Sequence, residues 1–225
     1  MASILIVENH DLLAEALVLA LSDRGFDCTV AQLTSAVPVL EQAAQLRPAL
    51  VLLDLNLDDA DGLDLIRGLR AIGAKVLVVT GCTDESRVAS ALALGASGWV
   101  SKAQPFERLL DAAESVMRDR PLVGDARYAE LIQLGTARLE ADRELKQRMA
   151  QLTVREREVL WALSEGESAG EIAKALVVSL GTVRSHIQGI LGKLGVSSQL
   201  AAVARARSML TPDDVPRRLS AGRRR

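Results

Sequence analysis

The sequence predicts a two-domain chain: an α/β domain doubly wound around a five-stranded parallel sheet, then an all-α domain of about four helices. Three observations predict it. Apolar runs of strand length recur through the first 117 residues without polar alternation, at 4–7, 49–53 and 76–79, with shorter ones at 28–31 and 98–100. Helical patterns separate them at about 12–24, 35–46, 63–72, 84–94 and 105–118. Beyond Thr153 only helical patterns fit, at about 153–165, 168–176, 180–194 and 197–209.

Strands that are apolar throughout are buried on both faces, which happens when crossover helices cover a parallel sheet. Five βα units therefore make a doubly wound domain, whose ligands bind at the carboxyl ends of the central strands. Pro121 and Gly124 end that pattern, and about 126–151 reads as one charged helix. Leu131, Leu134, Leu145 and Leu152 give it a sparse apolar stripe among alternating Arg and Glu, as in a linker helix. Thr153 followed by Glu156 is a capping box, and Gly166, the turn at 177–179 and Gly195 separate the later helices. After Thr211, two prolines and an arginine cluster predict a disordered basic tail. The expected division is 1–118, a linker with helix at 119–151, a helical domain at 152–210, and the tail at 211–225.

At 225 residues, 49% hydrophobic and 25% charged, the chain has the balance of globular domains that bury their own cores. No apolar run approaches the roughly 18–20 residues of a membrane span. The short run at 4–7 leads straight into Glu8, Asn9, His10 and Asp11, unlike a secretory leader. Cys28 and Cys82 have no metal-ligand spacing, so a reduced cytoplasm is expected. Residues 1–117 hold 8 Lys and Arg against 16 Asp and Glu, whereas 151–225 hold 12 against 7. An acidic half joined to a basic half directs any polyanion to the second, although much of the surplus lies in the tail.

Glu8 follows the first strand and Asp54 ends the third; Thr80 ends the fourth and Lys102 lies just past the fifth. In a parallel sheet these ends share one edge. Two acids, a hydroxyl and an ammonium there suit phosphoryl transfer onto a side chain: oxygens hold a hard cation, while the ammonium and hydroxyl hold phosphoryl oxygens. Taken one at a time, such acids are ordinary turn residues.

With these residues in order, 1–117 resembles a response-regulator receiver domain, which is flavodoxin-like. The resemblance implies that Asp54 is the phosphoacceptor and that Thr80 and the small Gly81 are the switch hydroxyl and its neighbour. It implies that Lys102 pairs with the phosphoryl group and that Trp99 is the rotating aromatic. It implies Mg2+ held by Glu8, Asp54 and the backbone carbonyl of Asn56, with a sensor histidine kinase as partner. Asn9 departs from the pattern, standing where a second acid usually ligates metal; weaker Mg2+ binding and slower phosphorylation are expected. Asp11 is read as a helix cap.

The second domain has the rhythm of a helix-turn-helix. Ile172, Ala173 and Leu176 form the buried face of its first helix, Val178 plugs the turn and Ser179 caps the second helix. Val183, Ile187, Ile190, Leu191 and Leu194 then face the core and leave Arg184, Ser185, Gln188 and Lys193 on other faces. On spacing alone a solvated helical bundle fits equally. Leu152, Thr153, Arg155, Glu156, Glu158 and Val159, then Gly166, Glu171–Ala173, Thr182–His186 and Lys193–Val196, make 152–207 similar to the NarL/FixJ (LuxR-type) DNA-binding domain. That resemblance implies a DNA-binding transcription regulator acting in the major groove. Arg184, Ser185 and Gln188 would face bases, Thr182 and Lys193 would lie near phosphates, and His186 would be structural. Leu200, Val203 and Ala204, with Ala201, would form the contact of a homodimer reading two half-sites. Gly170 stands where a longer polar side chain usually approaches the backbone, and Gly189 and Gly192 each cost about 1 kcal/mol of helix propensity.

Two further readings stay open here. One is a receiver-containing regulator that acts without phosphorylation. The other is an enzyme using Glu8, Asp54 and Lys102 to hydrolyse a small phosphate ester.

Overall fold

Alternate strand residues divide between two cores, and that division builds the first half of the molecule. In the computed structural model, which describes residues 2–32, 36–58, 60–81, 84–122, 124–207 and 209–210, the chain forms two compact units, Met1–Leu139 and Glu140–Arg225. The predicted tail at 211–225 and Cys82 lie outside the described residues.

The first unit alternates β1 (Ser3–Val7), α1 (Asp11–Asp23), β2 (Asp27–Val30), α2 (Ala36–Leu46), β3 (Leu50–Leu53), α3 (Gly62–Ala71), β4 (Lys75–Thr80), α4 (Glu85–Ala93), β5 (Gly98–Ser101) and α5 (Phe106–Met117). All strand pairs are parallel, in the order β2-β1-β3-β4-β5, as the apolar runs predict. Leu5, Val7, Val51, Leu53, Val76 and Val78 face a core closed by α2, α3 and α4. Ile4, Ile6, Leu50, Leu52, Leu77 and Val79 face α1 and α5. Each fully buried aliphatic side chain contributes about 1.5–3 kcal/mol, so the central strands anchor the unit. The order reverses between β1 and β3, which opens the crevice at their carboxyl ends.

The charged helix predicted as a linker is α6 (Asp125–Ala150), and it belongs to both units. Leu131 is buried in the core of the first unit and Leu145 in that of the second, while Leu134 is exposed. Asp11 is not the cap of α1. His10 holds that position without a side-chain cap bond, and Asp11 is the first helical residue, its charge favourable in the first turn.

The second unit holds the rest of α6 with α7 (Val154–Ser164), α8 (Ala169–Leu176), α9 (Leu180–Leu194) and α10 (Gln199–Ala206). The predicted capping box of α7 is present, and Ser168 with Glu171 forms a second one on α8. Val177, in the left-handed region at φ 54°, turns the chain from α8 into α9, a costly conformation for a β-branched residue. Ser179 caps α9, accepting from the Thr182 amide at 3.0 Å. Val183, Ile187, Ile190 and Leu194 face inward as predicted. The last helix is shorter than its pattern, because the Ser198 hydroxyl accepts from Ala201 N and starts it at Gln199.

Glu156 of α7 joins the start of this bundle to the end of α9. It is only 6% exposed, accepts from the Thr153 amide at 2.7 Å and hydroxyl at 2.9 Å, and takes the Lys193 ammonium at 2.5 Å. Gly189 makes room for it, since a Cβ at that position would lie 2.7 Å from Glu156 Oε1. Gly189 is thus a packing requirement, whereas a Cβ at Gly192 would meet nothing within 4 Å. Gly192→Ala is therefore expected to stabilise this unit by about 0.5–1 kcal/mol through helix propensity, while Gly189→Ala destabilises it. Urea unfolding followed by the fluorescence of Trp161 on α7 measures both.

Burial pushes the Glu156 carboxyl up, but the bonds from Lys193 and Thr153 outweigh it and hold its pKa below the ordinary glutamate value. A depressed folded-state pKa stabilises above the unfolded value, about 4.3, and that contribution disappears as pH falls through the folded value. The stability gap between the native chain and Glu156→Gln should be largest near neutrality and begin to narrow as pH falls through the unfolded value, about 4.3, as read by the same unfolding assay.

Candidate functional site

Glu8 and Asp54 stand on the residues directly after β1 and β3, the two strands that flank the switch point. Both are carboxylates in an almost dry place, 4% and 3% exposed. Two buried negative charges side by side need a counter-ion. Lys102 supplies it: its Nζ lies 2.7 Å from Asp54 Oδ2 and 2.6 Å from Glu8 Oε2. The lysine comes from just beyond β5, where its amide donates to the Thr80 carbonyl at 2.9 Å. Its side chain spans 94 positions of sequence to reach Glu8. Asp54 Oδ1 meanwhile accepts from the Asn56 amide at 3.0 Å.

Three of the predicted residues thus meet directly, and Asn56 joins them through its backbone. Thr80 is buried at the end of β4 on the same edge, and Gly81 beyond it is open to solvent. Trp99 is partly buried on β5 and packs on the side of the sheet that α2, α3 and α4 cover. Asn9 turns its amide nitrogen to Asp58 Oδ1 at 3.2 Å, and its Oδ1 is buried with no partner among the described residues.

Sequence reasoning missed two residues here. His10 places Nδ1 2.8 Å from Glu8 Oε1, and one ligand atom each from Glu8, His10 and Asp54 lie within 4.8 Å of one another. Its place two residues after Glu8, at the start of α1, was the only signal. Arg87 reaches from α4 to the loop after Asp54, donating to the Leu55 carbonyl at 3.1 Å and to Asp61 Oδ1 at 2.9 Å. No motif marks it. As a cation site, two carboxylates and the orphaned Asn9 oxygen offer the oxygen-rich donors a hard ion takes.

On α9, Thr182, Arg184, Ser185 and Gln188 are all exposed, and His186 is partly buried. The exposed set forms a continuous polar face opposite Val183, Ile187 and Ile190. Lys193 departs from expectation: its ammonium is turned to the buried Glu156 rather than outward toward a phosphate. On α10, Leu200 is 80% exposed and Ala204 is exposed. Val203 instead packs against its own unit's core, so it is not fully presented on the expected contact face.

Residues 4–114 match the response regulator receiver domain family, and 150–206 match the bacterial regulatory proteins of the luxR family. The chain is 30% identical over 202 residues to a nitrate/nitrite response regulator protein homolog of Haemophilus influenzae, covering 88% of this chain and 93% of that protein. It is 28% identical over 207 residues to the transcriptional regulatory protein DesR of Bacillus subtilis, covering 92% and 97%. It is 29% identical over 205 residues to the DNA-binding transcriptional activator DevR/DosR of Mycobacterium tuberculosis, covering 90% and 92%. The fold is shared with the response regulator of an RcsB–DNA complex, at TM-score 0.51 and 20% identity over 92% of this chain and 98% of that one. These matches, rather than any group the site lacks, set aside the phosphate-hydrolysing reading. The chain belongs to the NarL family of two-component response regulators, transcription regulators that join a receiver domain to a DNA-binding luxR-type helix-turn-helix.

Proposed function

We propose that Asp54 is the phosphoacceptor and that its modification controls the binding of α9 to promoter DNA. The observation that carries this reading is the Lys102 ammonium set between Glu8 and Asp54 at the switch point. One Asp54 oxygen attacks the phosphorus of a phosphohistidine on a sensor kinase. The new P–O bond forms as the P–N bond to the imidazole breaks, and the imidazole keeps the electron pair. Lys102 is already placed to bind the oxygens of the transferred group, and Thr80 and Gly81 border it. Glu8, Asp54 and the carbonyl of Asn56 would hold Mg2+, which when bound offsets phosphoryl charge. The 1–118 segment then receives the signal and 152–210 reads DNA, joined through 119–151 and followed by the basic tail at 211–225, all in the cytoplasm.

In the groove, Arg184, Ser185 and Gln188 read base edges while Thr182 holds a phosphate. Leu200 and Ala204 pair two copies, which places two recognition helices about one helical turn apart. A second reading is favoured by one observation. Asn9 is neutral and engaged with Asp58, so the edge has one fewer acid for a cation, and a regulator driven by a partner instead of phosphate fits that edge.

Incubation with phosphoramidate and Mg2+ should add one phosphoryl mass to the native chain and none to Asp54→Ala, read by intact mass. No gain in the native chain would overturn the phosphoacceptor role and leave the second reading. Arg184→Ala should weaken binding to a specific promoter fragment by about 1–3 kcal/mol, roughly 5- to 150-fold, in a fluorescence anisotropy titration at fixed salt.

A further inference from the structure

The middle of helix α4 is buried on every side. Val88, Ala89, Ser90, Ala91 and Leu92 are each 5% exposed or less, and five consecutive residues at about 100° apiece go right around a helix. The sheet accounts for one side. The first half of α6 accounts for the other, within the same unit. Leu131 is fully buried in the cluster that contains Ala89, Ala91 and Leu92, and Tyr128 and Ile132 pack against that cluster. Arg127 forms an ion pair with Glu85, and the Tyr128 hydroxyl donates to the Ala96 carbonyl at 3.4 Å. Gly135 is the crossing point: any Cβ there would collide with the Ala89 carbonyl. The contact is close and has no side chain to cushion it, so a small shift of α4 breaks it.

The opposite tie of α4 is Arg87. Its guanidinium holds the carbonyl of Leu55, the neighbour of Asp54, and both oxygens of Asp61, which caps α3. That loop has little slack, because at Gly62 a Cβ would run into the Asp54 carbonyl. The Arg87 Nε is buried with no acceptor among the described residues, so its hold on the loop rests on the two terminal nitrogens. One helix therefore holds both the acceptor loop and α6.

We infer that Arg87 is a coupling residue: through α4 it makes the docking of α6 on the receiver depend on the state of the Asp54 loop. For its trigger this rests on the phosphorylation reading above. A phosphoryl group on one Asp54 oxygen draws the Lys102 ammonium onto its own oxygens and rearranges the bonds that Asp54 now makes to Lys102 and the Asn56 amide. Leu55 beside it then resettles, Arg87 loses its hold on the Leu55 carbonyl, α4 shifts, and the contact at Gly135 opens.

Hydrogen–deuterium exchange on the full chain, paired with intact mass, tests this. Without any phosphodonor, Arg87→Ala should speed exchange of amides 128–135 at least tenfold while amides 50–53 of β3 stay slow, and Arg87→Lys should fall between it and the native chain. Gly135→Val, which wedges α6 away with Arg87 intact, should speed the same amides. Unchanged exchange at 128–135 in Arg87→Ala overturns the proposal, and so does acceleration spread equally over β3, which would mean Arg87 merely holds the unit together. With phosphoramidate and Mg2+, the native chain should gain the phosphoryl mass and show the same local acceleration. Mass gain without acceleration also overturns the coupling. Absence of mass gain counts against phosphorylation alone, and the Arg87 arm still decides the coupling.

Discussion

A buried ammonium between two buried carboxylates governs how the first unit is built. Moving a carboxylate out of water costs several kcal/mol even after relaxation, and Glu8 and Asp54 have both been moved. They are carried there by β1 and β3, whose residues are apolar on both faces and cannot leave the sheet without exposing them. The fold thus forces the acids together, and only a cation from a third strand end can make the arrangement tolerable. Lys102 is that cation, and in the proposed phosphoacceptor role of Asp54 the same ammonium would follow an incoming phosphoryl group without a new charge being desolvated.

Most of this edge was legible from sequence because it is written in strand ends. Apolar runs without alternation predicted the parallel sheet, and a parallel sheet brings Glu8, Asp54, Thr80 and Lys102 to one side without further assumption. The α9 face was legible for a similar reason: helical periodicity assigns Val183, Ile187 and Ile190 inward and so releases Arg184 and Gln188. What escaped lies in through-space partnerships. Arg87 sits in an ordinary helical pattern, and nothing local shows that its guanidinium reaches Leu55, 32 positions away. Lys193 was expected near a phosphate from the resemblance to the luxR-type domain; its buried partner is 37 positions upstream, where no such pattern points. The α6 stripe looked too sparse to pack because its two buried leucines serve different cores.

The glycines show why local propensity misled. Gly189 and Gly192 look alike as helix-weakening residues three apart, yet only Gly189 has a neighbour a side chain would displace. Gly135 is a third case, in a helix whose composition is otherwise favourable. At both Gly135 and Gly189 a modest loss of helix propensity is exchanged for close approach, once by a carbonyl and once by a carboxylate. The contact surfaces of α6 and α9 are therefore set by what is missing from their sequences as much as by what is present.

The two units solve the same electrostatic problem in the same way, and this bears on how the protein is controlled. Each buries an acid early in its chain, Glu8 in one and Glu156 in the other, and neutralises it with a lysine distant in sequence, Lys102 or Lys193. In the second unit the pair is closed within the bundle: one Glu156 oxygen takes the Thr153 amide and hydroxyl and the Lys193 ammonium, and Gly189 leaves room for the other, so Glu156 ties the start of α7 to the end of α9. In the first unit the pair stays open at the sheet edge, where the ammonium is shared with a second buried carboxylate, Asp54. A closed pair resists change and an open one invites a new ligand. Under the reading proposed above, control belongs at the receiver edge, while the Glu156–Lys193 pair holds α9 in one fixed place within its own bundle.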